Sequence, residues 1–156
     1  MKFFLILAFS SALMISSYTQ EKRSGNQPVA DSIFHRGAKI TNNNFKGTAY
    51  LKMLMDADSI NSTTVGNVTF EAGARTRWHM HPGGQILLVM DGVGYYQEKG
   101  HAKKILKRGD VIKCPANVPH WHGASVDAGF VQVAITNRHL GETIWLLEVT
   151  EEEYKK

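Results

Sequence analysis

Cysteine is almost absent from this chain of 156 residues, in which Cys114 is the only thiol. One cysteine cannot form an internal disulfide, so no disulfide framework is expected to hold the fold. We interpret Cys114 as a buried structural thiol. Charge of one sign is also scarce, because 18 basic residues face 14 acidic residues and the formal charge is only +4. This small surplus favours a solvated surface over a nucleic-acid-binding face.

Long apolar runs are missing, except at the N-terminus. Lys2 precedes an almost continuously apolar stretch at residues 3–15, which is followed by small and polar residues. The stretch is too short to span a bilayer comfortably, and the pattern predicts a cleaved signal peptide over residues 1–19. The protein is therefore expected to be exported, to a periplasm or to the medium, without stable membrane insertion afterwards. An uncleaved membrane anchor is the alternative.

Helical periodicity is also absent until the last few residues. From Phe45 onward, short apolar stretches alternate with turn residues, and Asp91-Gly92 is typical of a hairpin turn. Thr150 followed by three glutamates predicts the capped start of a short C-terminal helix. The predicted strands are residues 49–53, 63–70, 77–81, 85–90, 94–97, 103–106, 111–113, 120–124, 130–136 and 143–148.

Many short strands at regular spacing predict an all-β domain, built as a closed sheet or a sandwich. The polar residues 20–44 are expected to form a loose N-terminal arm, and residues 45–156 the domain. Met90 and the apolar residues 86–89 are expected to line the core.

Four side chains have the spacing of a mononuclear metal site. His79 and His81 alternate along a predicted strand, so they point to the same face. Gln85 can return to that face after the turn Pro82-Gly83-Gly84, and His120 follows a second proline-containing turn. Three imidazoles and an amide can hold one divalent ion and leave positions open for water or substrate. This mixed donor set leaves Mn, Fe, Co, Ni and Zn open.

Two segments carry a resemblance to a known family. Residues 73–92 read Gly, five residues, His-x-His, three residues, Gln, six residues, Gly; residues 109–124 read Gly, five residues, Pro-x-Asn, two residues, His. They resemble the two motifs of the cupin superfamily, with Gln85 where glutamate is usual, Asn117 for a glycine and Ala124 for an asparagine. The resemblance covers roughly residues 45–149. It implies a double-stranded β-helix, a small jelly-roll barrel with its metal in the barrel mouth.

A closer resemblance lies in residues 70–76, 78–85 and 120–124. These runs are similar to small bacterial cupins related to carboxymuconolactone decarboxylases, a group that includes hydroxynitrile lyases whose three histidines and one glutamine bind manganese. The resemblance implies that His79, His81, Gln85 and His120 are metal ligands and that manganese is the first metal to expect. It also implies a homodimer.

Two further side chains are candidates for catalysis. His122 shares a strand face with His120, and it would either move a proton and bind substrate or support the ligands. Gln132 stands twelve residues after His120, where the similar lyases have a histidine that handles the substrate proton. An amide cannot act as a general base near neutral pH, so the sequence does not predict cyanohydrin cleavage by that route.

The neighbours of the ligands have less specific roles. Trp78 and Trp121 alternate with the ligand positions and are expected to pack on the opposite side of the strands. Arg75 and Arg77 are expected on a solvated strand face, with anion binding as the alternative.

Three functions therefore stay open for a small-molecule substrate. The first is a metal-dependent, lyase-like enzyme that works by Lewis-acid and proton-transfer chemistry. The second is a metal-dependent dioxygenase, and the third is a non-catalytic barrel that binds a small ligand.

Overall fold

A computed structural model describes residues 33–156, which form an all-β domain with one short helix, as predicted. The predicted signal peptide and the first part of the N-terminal arm lie outside the described residues. The strands are β1 Ala38–Lys39, β2 Phe45–Lys46, β3 Ala49–Met55, β4 Thr63–Phe70, β5 Arg75–Thr76, β6 His79–Met80, β7 Gln85–Glu98, β8 Lys104–Lys107, β9 Val111–Cys114, β10 His120–Ala124, β11 Phe130–Asn137 and β12 Ile144–Trp145. The helix is α1 Glu151–Lys155.

The strands pair antiparallel throughout and form two halves of one curved sheet. The first half runs β1–β3–β4–β11–β7, with β9 on the outer edge of β7. The second half runs β7–β10–β5–β2, with β8 on β7, β6 on β10 and β12 on β6. Strand β7 belongs to both halves and joins them.

The hairpin predicted at Asp91-Gly92 is wrong, because β7 continues through these residues. Val131 of β11 pairs with Asp91 and Gln132 pairs with Val89, so one residue of β7 bulges out of the ladder at this point. Gly92 has φ 77°, and a Cβ atom there would lie 2.0 Å from the Gly129 carbonyl oxygen. The dipeptide therefore bends one strand from the first half-sheet into the second.

The main core lies between the two half-sheets. Residues 86–90 were all expected in the core, but alternate side chains of a strand point to opposite faces. Leu87 and Val89 are buried, whereas Ile86 is 41% exposed on the outer face. Cys114 is 1% exposed in the same core, in agreement with its interpretation as a buried thiol. The main core also contains Val68, Phe70, Tyr96, Leu106 and Phe130.

A second core cluster lies outside the barrel, beneath the C-terminal segment. It contains Trp78, Trp121, Val149 and Tyr154, which confirms that both tryptophans pack away from the ligand face. The Trp121 indole N–H donates to Gln97 Oε1 at 2.9 Å. Strand β10 is therefore buried on both faces.

The C-terminal helix begins as predicted. Thr150 accepts a hydrogen bond from the Glu153 backbone N–H, and the Glu153 carboxylate accepts one from the Thr150 backbone N–H. This reciprocal capping box satisfies two donors at the start of a helix too short to be stable alone.

The solvated position expected for Arg75 is wrong. Its side chain is 3% exposed, lies over the Tyr154 ring at 4.1 Å and donates to Glu151 Oε1 at 2.7 Å. Arg77 donates to Glu148 Oε1 at 2.8 Å and is half-buried. Both arginines therefore attach the C-terminal segment to the barrel wall.

Part of the predicted loose arm belongs to the sheet. Ala38 and Lys39 pair with Leu51 and Tyr50 of β3. Asn67 is fully buried on β4 and donates to the Phe34 carbonyl oxygen at 3.5 Å. Among residues 33–156, no helix is both long enough and apolar enough to cross a membrane.

Candidate metal centre

Four buried imidazoles meet inside the barrel. His79 lies on β6, His81 follows that strand, and His120 and His122 lie on one face of β10. His79 and His120 are direct partners in the antiparallel ladder, and their ring centroids are 4.4 Å apart. The His79 centroid also lies 5.1 Å from those of His81 and His122. None of the four residues is more than 4% exposed.

Three of these rings come close enough to share one ion. One ring nitrogen from each of His79, His120 and His122 lies within 4.8 Å of the other two. This trio overlaps the predicted ligand set but contains His122, which the sequence assigns to another role. His81 stands next to the trio, with its ring centroid 5.5 Å from that of His120.

Backbone hydrogen bonds determine which ring nitrogen carries the proton in His79 and His120. His79 Nδ1 donates to the Arg77 carbonyl oxygen at 2.9 Å, and His120 Nδ1 donates to the Val118 carbonyl oxygen at the same distance. A carbonyl oxygen only accepts, so in each uncharged ring the lone pair is on Nε2. Outer contacts of this kind orient metal-binding histidines.

Several imidazole nitrogens in the cluster have no hydrogen-bond partner among the described residues and are available to bind an ion. In the described part of the chain, Nε2 of His81, His120 and His122 is buried without a hydrogen-bond partner. His81 Nδ1 lies 3.1 Å from Thr143 Oγ1, so its contact to protein is also on the Nδ1 side. Buried polar atoms without partners carry a free-energy penalty that a bound ion or water would relieve. The donor set therefore fits a divalent transition metal.

Gln85 lies beside the histidine cluster, and its side-chain oxygen is the atom that could bind an ion there. Its side-chain Nε2 donates to Thr136 Oγ1 at 2.9 Å, and its Oε1 accepts a long hydrogen bond from the Cys114 thiol at 4.0 Å. Burial raises the pKa of Cys114 to about 12, so this sulfur is a protonated thiol near neutral pH.

Burial keeps the histidines uncharged. It is the main reason that the pKa of His81 falls to about 3, with His120 as a second cause. Burial likewise holds the pKa values of His79 and His122 well below 6.5. Metal binding requires neutral imidazole, so the cluster is in the required protonation state near neutral pH.

The two catalytic candidates contact each other. Gln132 is fully buried on β11, and its Nε2 lies 3.0 Å from His122 Nδ1. The Phe70 ring stands edge-on to His122, with centroids 6.0 Å apart. Sequence reasoning placed both polar residues near the site but did not predict this contact.

Trp145 is a site neighbour that sequence reasoning missed. It lies on β12, pairs with His79 in the ladder, and its ring centroid is 4.9 Å from that of His79. Phe45 also packs against Trp145, with ring centroids 5.9 Å apart. An aromatic residue so far along the chain carries no local signal, and only the pairing of β12 with β6 brings it to the site.

Comparison with known proteins agrees with this architecture. Residues 66–135 match the model of the cupin domain. The chain is 38% identical, over 113 residues, to a protein of Granulicella tundricola named (R)-mandelonitrile lyase, covering 72% of this chain and 86% of the relative. The chain belongs to the cupin family. Its curved antiparallel sheet is accordingly the double-stranded β-helix expected from the two motifs.

Solved structures extend the comparison. A cupin-like protein from Thermotoga maritima is 51% identical, with a TM-score of 0.77, and the match covers 80% of this cupin and 96% of that chain. A DMSP lyase from Ruegeria pomeroyi has a TM-score of 0.56 at 21% identity, over 70% of this chain and 55% of that one. The second likeness is one of fold alone.

Proposed function

We propose that this cupin is a metal-dependent lyase that acts on a small oxygen-bearing organic substrate. The observation that carries the proposal is the cluster of four buried imidazoles: Nε2 of His81, His120 and His122 has no partner among the described residues, and backbone carbonyls orient His79 and His120. The name of the 38% identical relative, a mandelonitrile lyase, supports the reaction class.

In this proposal His79, His81, Gln85 and His120 hold one divalent ion. Gln85 brings an uncharged oxygen where many cupins have a carboxylate, so the ligands contribute no negative charge. When bound, the ion would supply Lewis acidity, which this neutral ligand set reduces less than a set with a carboxylate. Manganese is the first candidate, while iron, cobalt, nickel and zinc also suit three nitrogens and one oxygen.

His122 is the side chain that contacts the substrate in this proposal. It is the fourth imidazole of the cluster, it is uncharged, and its Nε2 has no partner in the described structure. Gln132 cannot take up a proton, so it orients His122 instead. The core aromatic Phe70 and the fully buried Trp121 on the other side of β10 exclude water from the rear of the site.

Export and self-association are further parts of the proposal. The apolar N-terminal run supports export with removal of residues 1–19, followed by residence in a periplasm or in the medium. Ile86 and Val111 are 41% and 63% exposed on neighbouring strands, which supports a homodimer through this face. N-terminal sequencing of the exported protein and its mass by light scattering test these two parts.

Elemental analysis of protein purified without a metal-affinity tag tests the core of the proposal. We expect about one equivalent of a divalent transition metal, as for a mononuclear site. A variant with both His79→Ala and His120→Ala should contain none, whereas His101→Ala, at an exposed histidine, should keep the metal.

The reaction class is tested on the loaded protein. Release of an aldehyde and cyanide from mandelonitrile, or lyase turnover of another small hydroxylated substrate, would support the proposal. Oxygen uptake would indicate a dioxygenase. Absence of metal even after loading would leave a ligand-binding barrel as the better account.

A further inference from the structure

Two histidines on the same face of β10 have opposite hydrogen-bond patterns. His120 Nδ1 donates to a backbone carbonyl oxygen, that of Val118. His122 Nδ1, two residues later, faces the side-chain Nε2 of Gln132 at 3.0 Å, and an amide nitrogen only donates. An uncharged imidazole carries one proton. It is therefore on Nδ1 in His120 and on Nε2 in His122.

The orientation of the Gln132 amide and the tautomer of His122 are coupled. In the structure the amide Nε2 donates to His122, and the buried Oε1 has no partner among the described residues. With the amide reversed, its oxygen would instead accept a proton from His122 Nδ1. The orientation found in the structure therefore corresponds to a proton on His122 Nε2.

We propose that Gln132 is a positioning residue that keeps His122 out of the metal's ligand set and presents its Nε2–H as a hydrogen-bond donor to the ligand. The group it would bind is an oxygen acceptor, such as the carbonyl or hydroxyl oxygen of a small molecule held next to the ion. The placement of an ion beside it rests on the proposed function, whereas the tautomer of His122 does not.

The position of His122 supports this role. A ring nitrogen of His122 lies within 4.8 Å of those of His79 and His120, so the ring borders the space that an ion would occupy. Its buried Nε2 lacks a protein partner, and the edge-on contact with Phe70 restrains the ring. A buried N–H donor without an acceptor is unfavourable until a ligand or water provides one.

Nitrogen NMR of the histidine side chains tests the proposal directly. Long-range ¹H–¹⁵N correlations of the metal-free protein distinguish the two tautomers, and the His122→Asn variant assigns the His122 signals by their loss. We expect Nε2–H for His122 and Nδ1–H for His79 and His120. Finding Nδ1–H on His122 would overturn the proposal.

Zinc loading separates this inference from the proposed function. We expect zinc to shift the Nε2 signals of His79, His81 and His120 strongly while His122 keeps its proton. A metal-type shift of His122 Nε2 would overturn the inference. If zinc moves no histidine signal, the proposed function fails, but the tautomer in the metal-free protein still tests the role of Gln132.

Substitution of Gln132 provides a second test. In Gln132→Glu the ionised carboxylate only accepts, so the His122 proton should move to Nδ1. Gln132→Met removes the donor at similar size, and the two tautomers should then be mixed. Gln97→Glu, at a glutamine outside the site, should leave His122 unchanged. A His122 tautomer that is the same in the parent, Gln132→Glu and Gln132→Met would show that Gln132 does not set it.

Discussion

His79 and His120 face each other across the β6–β10 pair, and each donates its Nδ1 proton to the carbonyl oxygen two residues earlier in the chain. The acceptors are the carbonyls of Arg77 and Val118, just before each strand. The same local contact, repeated on two strands, turns both Nε2 lone pairs away from the backbone. The strand ladder thus sets both the distance between the imidazoles and the atom that each one offers.

Replacing Gln85 with glutamate should strengthen metal binding and weaken catalysis. The carboxylate would add negative charge at the ligand position, which attracts the divalent ion and reduces its Lewis acidity. Competition with a chelator, followed by elemental analysis, should show slower metal loss than in the parent. Gln97→Glu is the control and should lose metal at the parental rate. Equal loss from Gln85→Glu and the parent would mean that position 85 is not a ligand.

Alanine at Gly92 should be far more destabilising than alanine at Gly109. Both glycines have positive φ, 77° and 93°, so each substitution introduces backbone strain of about 1–3 kcal/mol. At Gly92 the new Cβ would also collide with the Gly129 carbonyl, whereas at Gly109 there is no atom within 4 Å. Urea unfolding should measure the larger loss for Gly92→Ala, or show no folded protein. Similar losses for the two variants would contradict the bend assigned to β7.

The Tyr154 hydroxyl should contribute measurably to stability. It donates to the Ala124 carbonyl oxygen at 2.8 Å in a buried position, which attaches α1 to the end of β10. Tyr154→Phe should lower the free energy of unfolding by about 1–2 kcal/mol, since it leaves a buried carbonyl without its donor. Tyr50→Phe removes a hydroxyl that donates to the exposed Glu71 carboxylate and should have a smaller effect in the same chemical denaturation. The prediction fails if the two variants are equally stable.

The contacts of Glu151 should make stability depend on pH in the acid range. Hydrogen bonds from Lys46 and from Arg75 lower the pKa of Glu151 from 4.5 to about 2. A carboxyl with a lowered folded-state pKa stabilises the fold above the unfolded value, and the contribution disappears as the pH falls from 4.5 towards 2. The stability difference between the parent and Glu151→Gln should therefore shrink between pH 5 and pH 2 in thermal unfolding. A difference that does not change with pH would show that the charge of Glu151 is not involved.

Sequence spacing predicted correctly which face of its own strand each side chain of the site lies on. The alternation at His79, His81 and His120 placed the imidazoles on one face and the two tryptophans on the other, and both arrangements are found in the structure. These predictions succeed because side chains two residues apart in a strand share a face.

Contacts between distant segments could not be predicted in this way. The Gln132–His122 bond joins β11 and β10, which pair with different parts of β7 and not with each other. The burial of Arg75 depends on a C-terminal segment that begins more than 60 residues later. Asp91-Gly92 has the residues of a tight turn, but pairing with β11, β9, β10 and β8 on both sides of the dipeptide favours a continuous strand.

Because β7 pairs with four strands and supplies both half-sheets, neither half can open without breaking its ladder. We therefore expect one cooperative unfolding event, with the β7 backbone amides exchanging with deuterated solvent at the rate of global opening. The partners of β7 are the four strands that follow it in the chain, and the sequence separation of paired residues reaches 51 positions, between Gln85 and Thr136. Pairing over such separations slows folding, and the metal-binding pocket should form only once β6 and β10 have paired.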